Sequence, residues 1–176
     1  GNYAEKILDD IVNSHELTFD DKAKIENTAQ TGGSGDRIIT FSNGFRLMVE
    51  VKNKDTIKPC DIEQFEEHYT KDFNENKIDM ALFFSYRTYN ITGKHKCEAI
   101  CPRFFENDKI VYFGLDDKYN KVEKKQRLKQ EINYIYRKYE ESLLNKNSKL
   151  NSCDIYNEQL KILKENKEYF TKEINK

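Results

Sequence analysis

Gly35-Asp36-Arg37-Ile38-Ile39-Thr40-Phe41-Ser42-Asn43-Gly44-Phe45-Arg46-Leu47-Met48-Val49-Glu50-Val51-Lys52 is the stretch that decides the fold. Phe45 to Lys52 alternates strictly, so Phe45, Leu47, Val49 and Val51 share one face of a strand and Arg46, Met48, Glu50 and Lys52 share the other. Ser42-Asn43-Gly44 is turn chemistry between two such runs and makes the stretch a β-hairpin. With a three-residue loop Phe41 opposes Phe45, paired positions sum to 86, and Asp36 falls directly across from Glu50. With a two-residue loop Asp36 would face Val51 instead, because a one-residue slip exchanges the two faces. In the three-residue register the two carboxylates share a face, their Cα atoms ~5 Å apart. Lys52 lies two residues along that same face, ~6.6 Å from Glu50.

Two like charges at 4 Å repel by ~4 kcal/mol at an effective dielectric of about 20, so something must offset the pair. Lys52 offsets part of it. Hard oxygen donors on a rigid strand pair also suit Mg²⁺ or Mn²⁺, with water in the remaining positions. A metal so held polarises a phosphoryl oxygen and lowers the pKa of its water, while a neighbouring lysine steers that water or stabilises the transition state. The constellation suits phosphodiester hydrolysis. The alternative is an ion pair between Glu50 and Lys52 or Lys54 on a solvated surface.

The elements around the hairpin follow from periodicity. Ala4, Ile7, Leu8, Ile11 and Val12 recur at helical spacing, so an amphipathic helix opens the chain over residues 3–12, with Glu5 flanking its apolar face. Residues 24–31 read as a weak strand, followed by a Gly-rich turn from Thr31 to Gly35. Pro59 starts a crossover helix with the stripe Ile62, Phe65, Tyr69 and Phe73. Met80 to Tyr86 has the composition of a central strand covered on both faces, which completes a βαβ unit. Lys109 to Leu115 is a further strand after a poorly patterned stretch. From about residue 121 the pattern is helical, with Leu128, Ile132, Ile135, Tyr139 and Leu143 in register; Asn145 to Ser152 reads as a linker, and a second helix runs through Leu160, Leu163 and Phe170. The expected organisation is an α/β domain over 1–117 and a helical C-terminal extension over 118–176.

These residues resemble the PD-(D/E)XK nuclease superfamily, the restriction-endonuclease-like fold. The resemblance lies in Gly-Ser-Gly-Asp ending at Asp36, in the strand ending Glu50-Val51-Lys52, and in the order helix, strand, hairpin, helix, strand over residues 3–87. It implies a mixed β-sheet flanked by helices, with Asp36 and Glu50 as ligands of Mg²⁺ or Mn²⁺ and Lys52 as the catalytic lysine. Branches that include Holliday-junction resolvases and Mrr-like enzymes also carry a metal-reaching Glu on the opening helix, which Glu5 matches. Gln64 matches a Gln frequent on the crossover helix. Gly35 stands where the family name has Pro, as in the Gly-Asp branches. The Gln-x-x-x-Tyr motif of the RecB-like exonucleases is only partial, because His68 and not Tyr69 lies four residues after Gln64. The implied activity is a Mg²⁺-dependent endonuclease acting on DNA; the alternative is a nuclease-fold module that binds nucleic acid or a protein partner without cutting.

Composition agrees with a folded domain. In 176 residues, 37% hydrophobic and 22 of them Phe or Tyr, there is enough apolar surface for one core. The longest apolar run, Met80 to Phe84, is far short of the ~20 residues that cross a bilayer, so the chain is expected to be intracellular, in cytoplasm or nucleus, with no membrane partner. Seventeen Asn and sixteen Ile point to an AT-rich coding genome. Gly at position 1 points to a larger parent polypeptide, and two-strand cutting would favour a homodimer. Four cysteines are too few for a disulfide framework and read as free buried thiols; His95, Cys97 and Cys101 lack zinc spacing. The net charge of -1 hides an asymmetry of -7 over residues 1–117, +6 over 118–149 and 0 over 150–176. The basic segment is expected to track phosphate through Lys124, Lys125 and Arg127, with Lys54 as a further phosphate contact, although a solvated lysine-rich helix face has the same composition.

Overall fold

The computed structural model describes residues 2–28, 37–91, 93 and 103–175. Its elements are α1 (Asn2–Asn13), β1 (Lys24–Asn27), β2 (Arg37–Thr40), β3 (Arg46–Lys52), α2 (Pro59–Asn74), β4 (Met80–Ser85), β5 (Arg103–Glu106), β6 (Ile110–Gly114) and α3 (Lys121–Ile174). The six strands form one mixed sheet in the order β1-β2-β3-β4-β6-β5. β1, β2 and β3 run antiparallel, β4 and β6 continue parallel to β3, and β5 closes the far edge antiparallel to β6. The fold is therefore α/β, a mixed sheet flanked by helices with a helical C-terminal extension.

The hairpin has the three-residue loop. Phe41 N–H donates to Phe45 O at 2.8 Å, Gly44 N–H donates back to Phe41 O at 3.0 Å, and the pairing Arg37↔Val49, Ile38↔Met48 keeps the sum of 86. Gly44 sits at φ 87°, the left-handed position where a residue without Cβ is needed. Asn43 caps the turn by accepting the Phe45 N–H on its side-chain oxygen at 2.9 Å.

Strand alternation sorts the side chains into two layers. Ile38, Met48, Ala81, Phe83, Ile110 and Tyr112 face α2, where Phe65 packs edge-on against Phe83 and Tyr112 at ring distances of 5.2 and 5.7 Å. The other face receives α1, whose Ala4, Ile7, Leu8, Ile11 and Val12 are all buried, as their spacing requires. Arg37, paired with Val49, projects to that second face and binds Asp9 of α1 through Nε at 2.7 Å and Nη2 at 3.1 Å.

Several expectations need correction. Phe73 does not complete the α2 stripe: it is exposed, stacked on Tyr69, while Asp72 beside it is fully buried. Cys60 is not a buried thiol but an exposed one in the first turn of α2, one residue before the inward-facing Asp61 and Ile62. Cys97, Cys101 and His95 lie outside the described residues. β5 falls in the stretch without pattern; its turn into β6 sets Asn107 and Asp108 both at φ 55°, a conformation that Asn and Asp tolerate. The linker expected at Asn145 to Ser152 is helical, because that segment loses its apolar stripe without containing Gly or Pro to stop a helix.

The chain divides into two compact units, Gly1–Asn133 and Tyr134–Lys176. In the first unit, α3 buries Leu128 and Ile132 and locks to β5 by a bidentate pair, Arg103 Nε and Nη2 each 2.7 Å from the buried Glu131 carboxylate. The second unit is helical through Ile174, with Lys138 paired to Glu141 at 3.0 Å and Leu163, Phe170 and Ile174 exposed.

Candidate functional site

Glu50 and Lys52 end β3 on the α2 face. Glu50 is 2% exposed, yet it is a carboxylate in the middle of a sheet, and Lys52 Nζ lies 2.6 Å from its Oε1. Their placement follows from the period of two, which puts Met48, Glu50 and Lys52 in one row beside Ala81, Phe83 and Ser85 of parallel β4. The C-terminal ends of adjacent parallel strands are where open α/β sheets gather their ligand-binding groups. Here the chains leaving β3 and β4 stay together, joined by a parallel bridge between Ile57 and Ile91, both buried.

The start of α2 adds charge to the same end. Asp61, 5% exposed in the first turn of the helix, accepts the Lys58 N–H at 2.9 Å and the Lys54 ammonium at 2.6 Å. Burial pushes its carboxyl up, but the Lys54 and Lys58 hydrogen bonds, with the charges of Lys54 and Lys52, more than offset this and hold it below the ordinary carboxylate range. Lys52 is thus flanked by two buried acids, Glu50 in contact and Asp61 within electrostatic reach. Asp61 was not singled out by sequence pattern. The available signal is an acid at the third helical position after Lys58-Pro59, the reach-back half of a capping box. Ser85 was also missed; its signal is a lone hydroxyl at the end of an otherwise apolar strand.

The remaining candidates divide clearly. Asp36 lies outside the described residues. Gln64 is on α2 with its side chain exposed. Glu5 sits 3.6 Å from Arg37 Nη2, and Arg37 shares the Val49 face, opposite to Glu50, so the structure aims Glu5 at an arginine on α1's side of the sheet. Lys54 is bound to Asp61. Lys124 does not face phosphate: it is 3% exposed, its Nζ donates to Tyr86 O at 2.7 Å and Asp117 Oδ1 at 3.0 Å and stands 4.1 Å from the centre of the Tyr86 ring. Lys125 is 2.7 Å from Glu16, and Arg127 lies over the Tyr119 ring at 4.2 Å. The basic start of α3 therefore spends its charge on contacts within the first unit.

Among the described residues no three His, Cys, Asp or Glu side chains form a ready ligand cluster. Glu50 by itself offers one buried carboxylate, a hard oxygen donor of the type divalent cations take, with the Lys52 ammonium against its Oε1. Comparison with known protein families, curated proteins and solved structures finds no match to this chain. Among the described residues no helix is long and apolar enough to cross a membrane.

Proposed function

We propose that this chain is a divalent-metal-dependent nuclease of the restriction-endonuclease-like class, hydrolysing phosphodiester bonds in DNA as an endonuclease. The observation that carries the reading is the buried Glu50–Lys52 pair, Nζ to Oε1 at 2.6 Å, at the C-terminal end of β3 beside parallel β4. The element order supports it, as does the three-residue hairpin loop, since the alternative loop would remove the basis for an acid pair. In this reading Glu50, together with Asp36 one residue before Arg37, holds Mg²⁺ or Mn²⁺. Bound there, such a metal would supply a polarised phosphoryl oxygen and a water of lowered pKa.

The chain's own side chains do the rest. Glu50 fixes the cation at the strand end, where burial strengthens every charge interaction. Lys52 presents an ammonium beside that position, to orient the attacking water and to stabilise negative charge on the phosphoryl oxygens as the water oxygen bonds to phosphorus and the leaving oxygen departs. Asp61 and Lys54 form a fixed pair at the mouth of α2 and keep the local charge balanced.

Incubation of the full chain with supercoiled and branched DNA, with Mg²⁺ or with EDTA, tests the proposal. The expected result is cleavage that requires Mg²⁺ and disappears in Lys52→Ala. Binding without cleavage at any Mg²⁺ or Mn²⁺ concentration would instead mark a non-cutting nucleic-acid module.

A further inference from the structure

Two lysines one turn apart on α3 cover two tyrosines. Lys124 Nζ stands 4.1 Å from the centre of the Tyr86 ring and Lys121 Nζ 4.2 Å from that of Tyr3, and the two rings meet edge to face at 6.3 Å. The inner pair is buried and ties the start of α3 to the end of β4, since Lys124 also donates to Tyr86 O. The outer pair faces solvent: Tyr3 is 44% exposed, and Lys121 is exposed with it. Tyr119, in the segment just before α3, repeats the arrangement, with Lys118 Nζ 5.1 Å and Arg127 Cζ 4.2 Å from its ring centre. These groups adjoin the candidate site, because Tyr86 N–H donates to Lys52 O at 2.8 Å.

A ring face orients a cation without neutralising it, and among the described residues Lys118, Lys121 and Arg127 make no ion pair. The acids near by are engaged elsewhere: Asp117 with Lys124 and Arg87, and Glu123 with the Asn120 N–H at the helix start. Held cations beside an exposed aromatic ring are what single-stranded nucleic acid binds, its phosphates taking the charges and its unstacked bases the ring. A duplex keeps its bases stacked and offers only phosphates. We infer that Tyr3, Lys118, Lys121 and Arg127 form a surface that holds a single-stranded stretch of the DNA substrate, Tyr3 stacking on a base and the three cations contacting phosphates. The inference rests on the nuclease reading for the identity of the substrate and deepens it: the DNA cut at the end of β3 carries an unpaired strand, as at an overhang or a branch point.

Fluorescence anisotropy of the full chain in EDTA, with labelled oligo(dT) and with a blunt duplex of equal length, tests this. Tyr3→Ala is expected to weaken oligo(dT) binding about tenfold, the scale of one base–aromatic stack, while Tyr3→Phe keeps it and both variants bind duplex as wild type does. Lys118→Glu combined with Lys121→Glu should weaken both ligands and lower the slope of log affinity against log salt for oligo(dT) by ~1.4, about 0.7 per phosphate contact. Lys121 opens α3, where a glutamate suits the helix, so the fold survives the exchange. Lys24→Glu, at the opposite end of the sheet, should change neither ligand. Unchanged oligo(dT) affinity in Tyr3→Ala, an equal loss on the duplex, an unchanged salt slope in the double variant or an equal effect of Lys24→Glu overturns the inference, and Mg²⁺-dependent cleavage by wild type then leaves the nuclease reading in place. A wild type that binds oligo(dT) through these residues and cuts no DNA overturns the nuclease reading and leaves the strand-binding surface standing.

Discussion

Lys52 and Lys124 are both largely withdrawn from solvent, but they are held by different kinds of group. Lys124 meets a main-chain carbonyl, a carboxylate and the face of an aromatic ring at once. These contacts tie the start of α3 to the end of β4 and to the segment between β6 and α3. Lys52 lies against a carboxylate that is itself 3% exposed in its side chain, at the C-terminal end of parallel strand β3. Burying an ion pair is expensive and is weak evidence for stability, so a pair of this kind calls for another explanation. Lys124 has one in packing, whereas for Lys52 the proposed nuclease chemistry would supply it. A count of lysines in sequence cannot separate the two, since the difference lies in which acceptors surround each ammonium.

The comparison breaks most sharply at Lys52. Lys52→Ala should lower Mg²⁺-dependent cleavage by about 10³-fold, the scale of losing one preorganised charge, with an unchanged circular dichroism spectrum. Substantial residual activity would move Lys52 to the structural side. Gly114→Ala should destabilise the fold by ~3 kcal/mol in urea denaturation, because the added Cβ would meet Tyr89 Cα at 2.5 Å and Thr88 O at 2.6 Å, backbone rather than a side chain that can swing away. A smaller loss would mean that the chain over Gly114 yields easily. Lys124→Met should cost ~2 kcal/mol by the same measurement, since it strips the donor from a buried carbonyl, and should leave Mn²⁺ affinity as in wild type. Weakened Mn²⁺ binding there would erase the distinction between the two lysines.

The smallest effect is expected in acid. Asp61 is held below the usual carboxylate range, so its contribution is complete above the unfolded value of about 4 and is lost as pH falls through the folded value. Asp61→Asn should therefore flatten the decline in stability between about pH 4 and the foot of the acid transition, and leave the neutral plateau less changed. Denaturation series from pH 7 to 2.5 would show it. A parallel downward shift at all pH values would mean that Asp61 acts through helix capping and not through its charge.

Much of the architecture was legible because local patterns there agree with global demands. The hairpin register followed from a three-residue turn and strict alternation, and α1, α2 and β4 followed from apolar spacing of 3.6, from Pro59 and from a continuous buried run. β5 escaped because four residues at a sheet edge carry too little pattern, although Asn107-Asp108 was a usable turn signal. The unbroken course of α3 escaped because a lapse in the apolar stripe looks like a linker, while a helix that packs weakly needs only the absence of breakers to continue.

At the candidate site, Glu50 and Lys52 were readable from neighbouring positions on one strand, since their proximity is local geometry. Glu5 was not: whether a helix residue meets the sheet on Glu50's face or Arg37's depends on how α1 crosses the strands. The same holds for Asp61 and Lys124, whose partners lie 7 and 38 residues away in the chain. Sequence by itself fixed the faces of each strand and helix, because side-chain direction has a period set by backbone stereochemistry. Only the tertiary structure decided which charges meet, because that depends on long-range packing in which each lysine takes the nearest acceptor that burial offers.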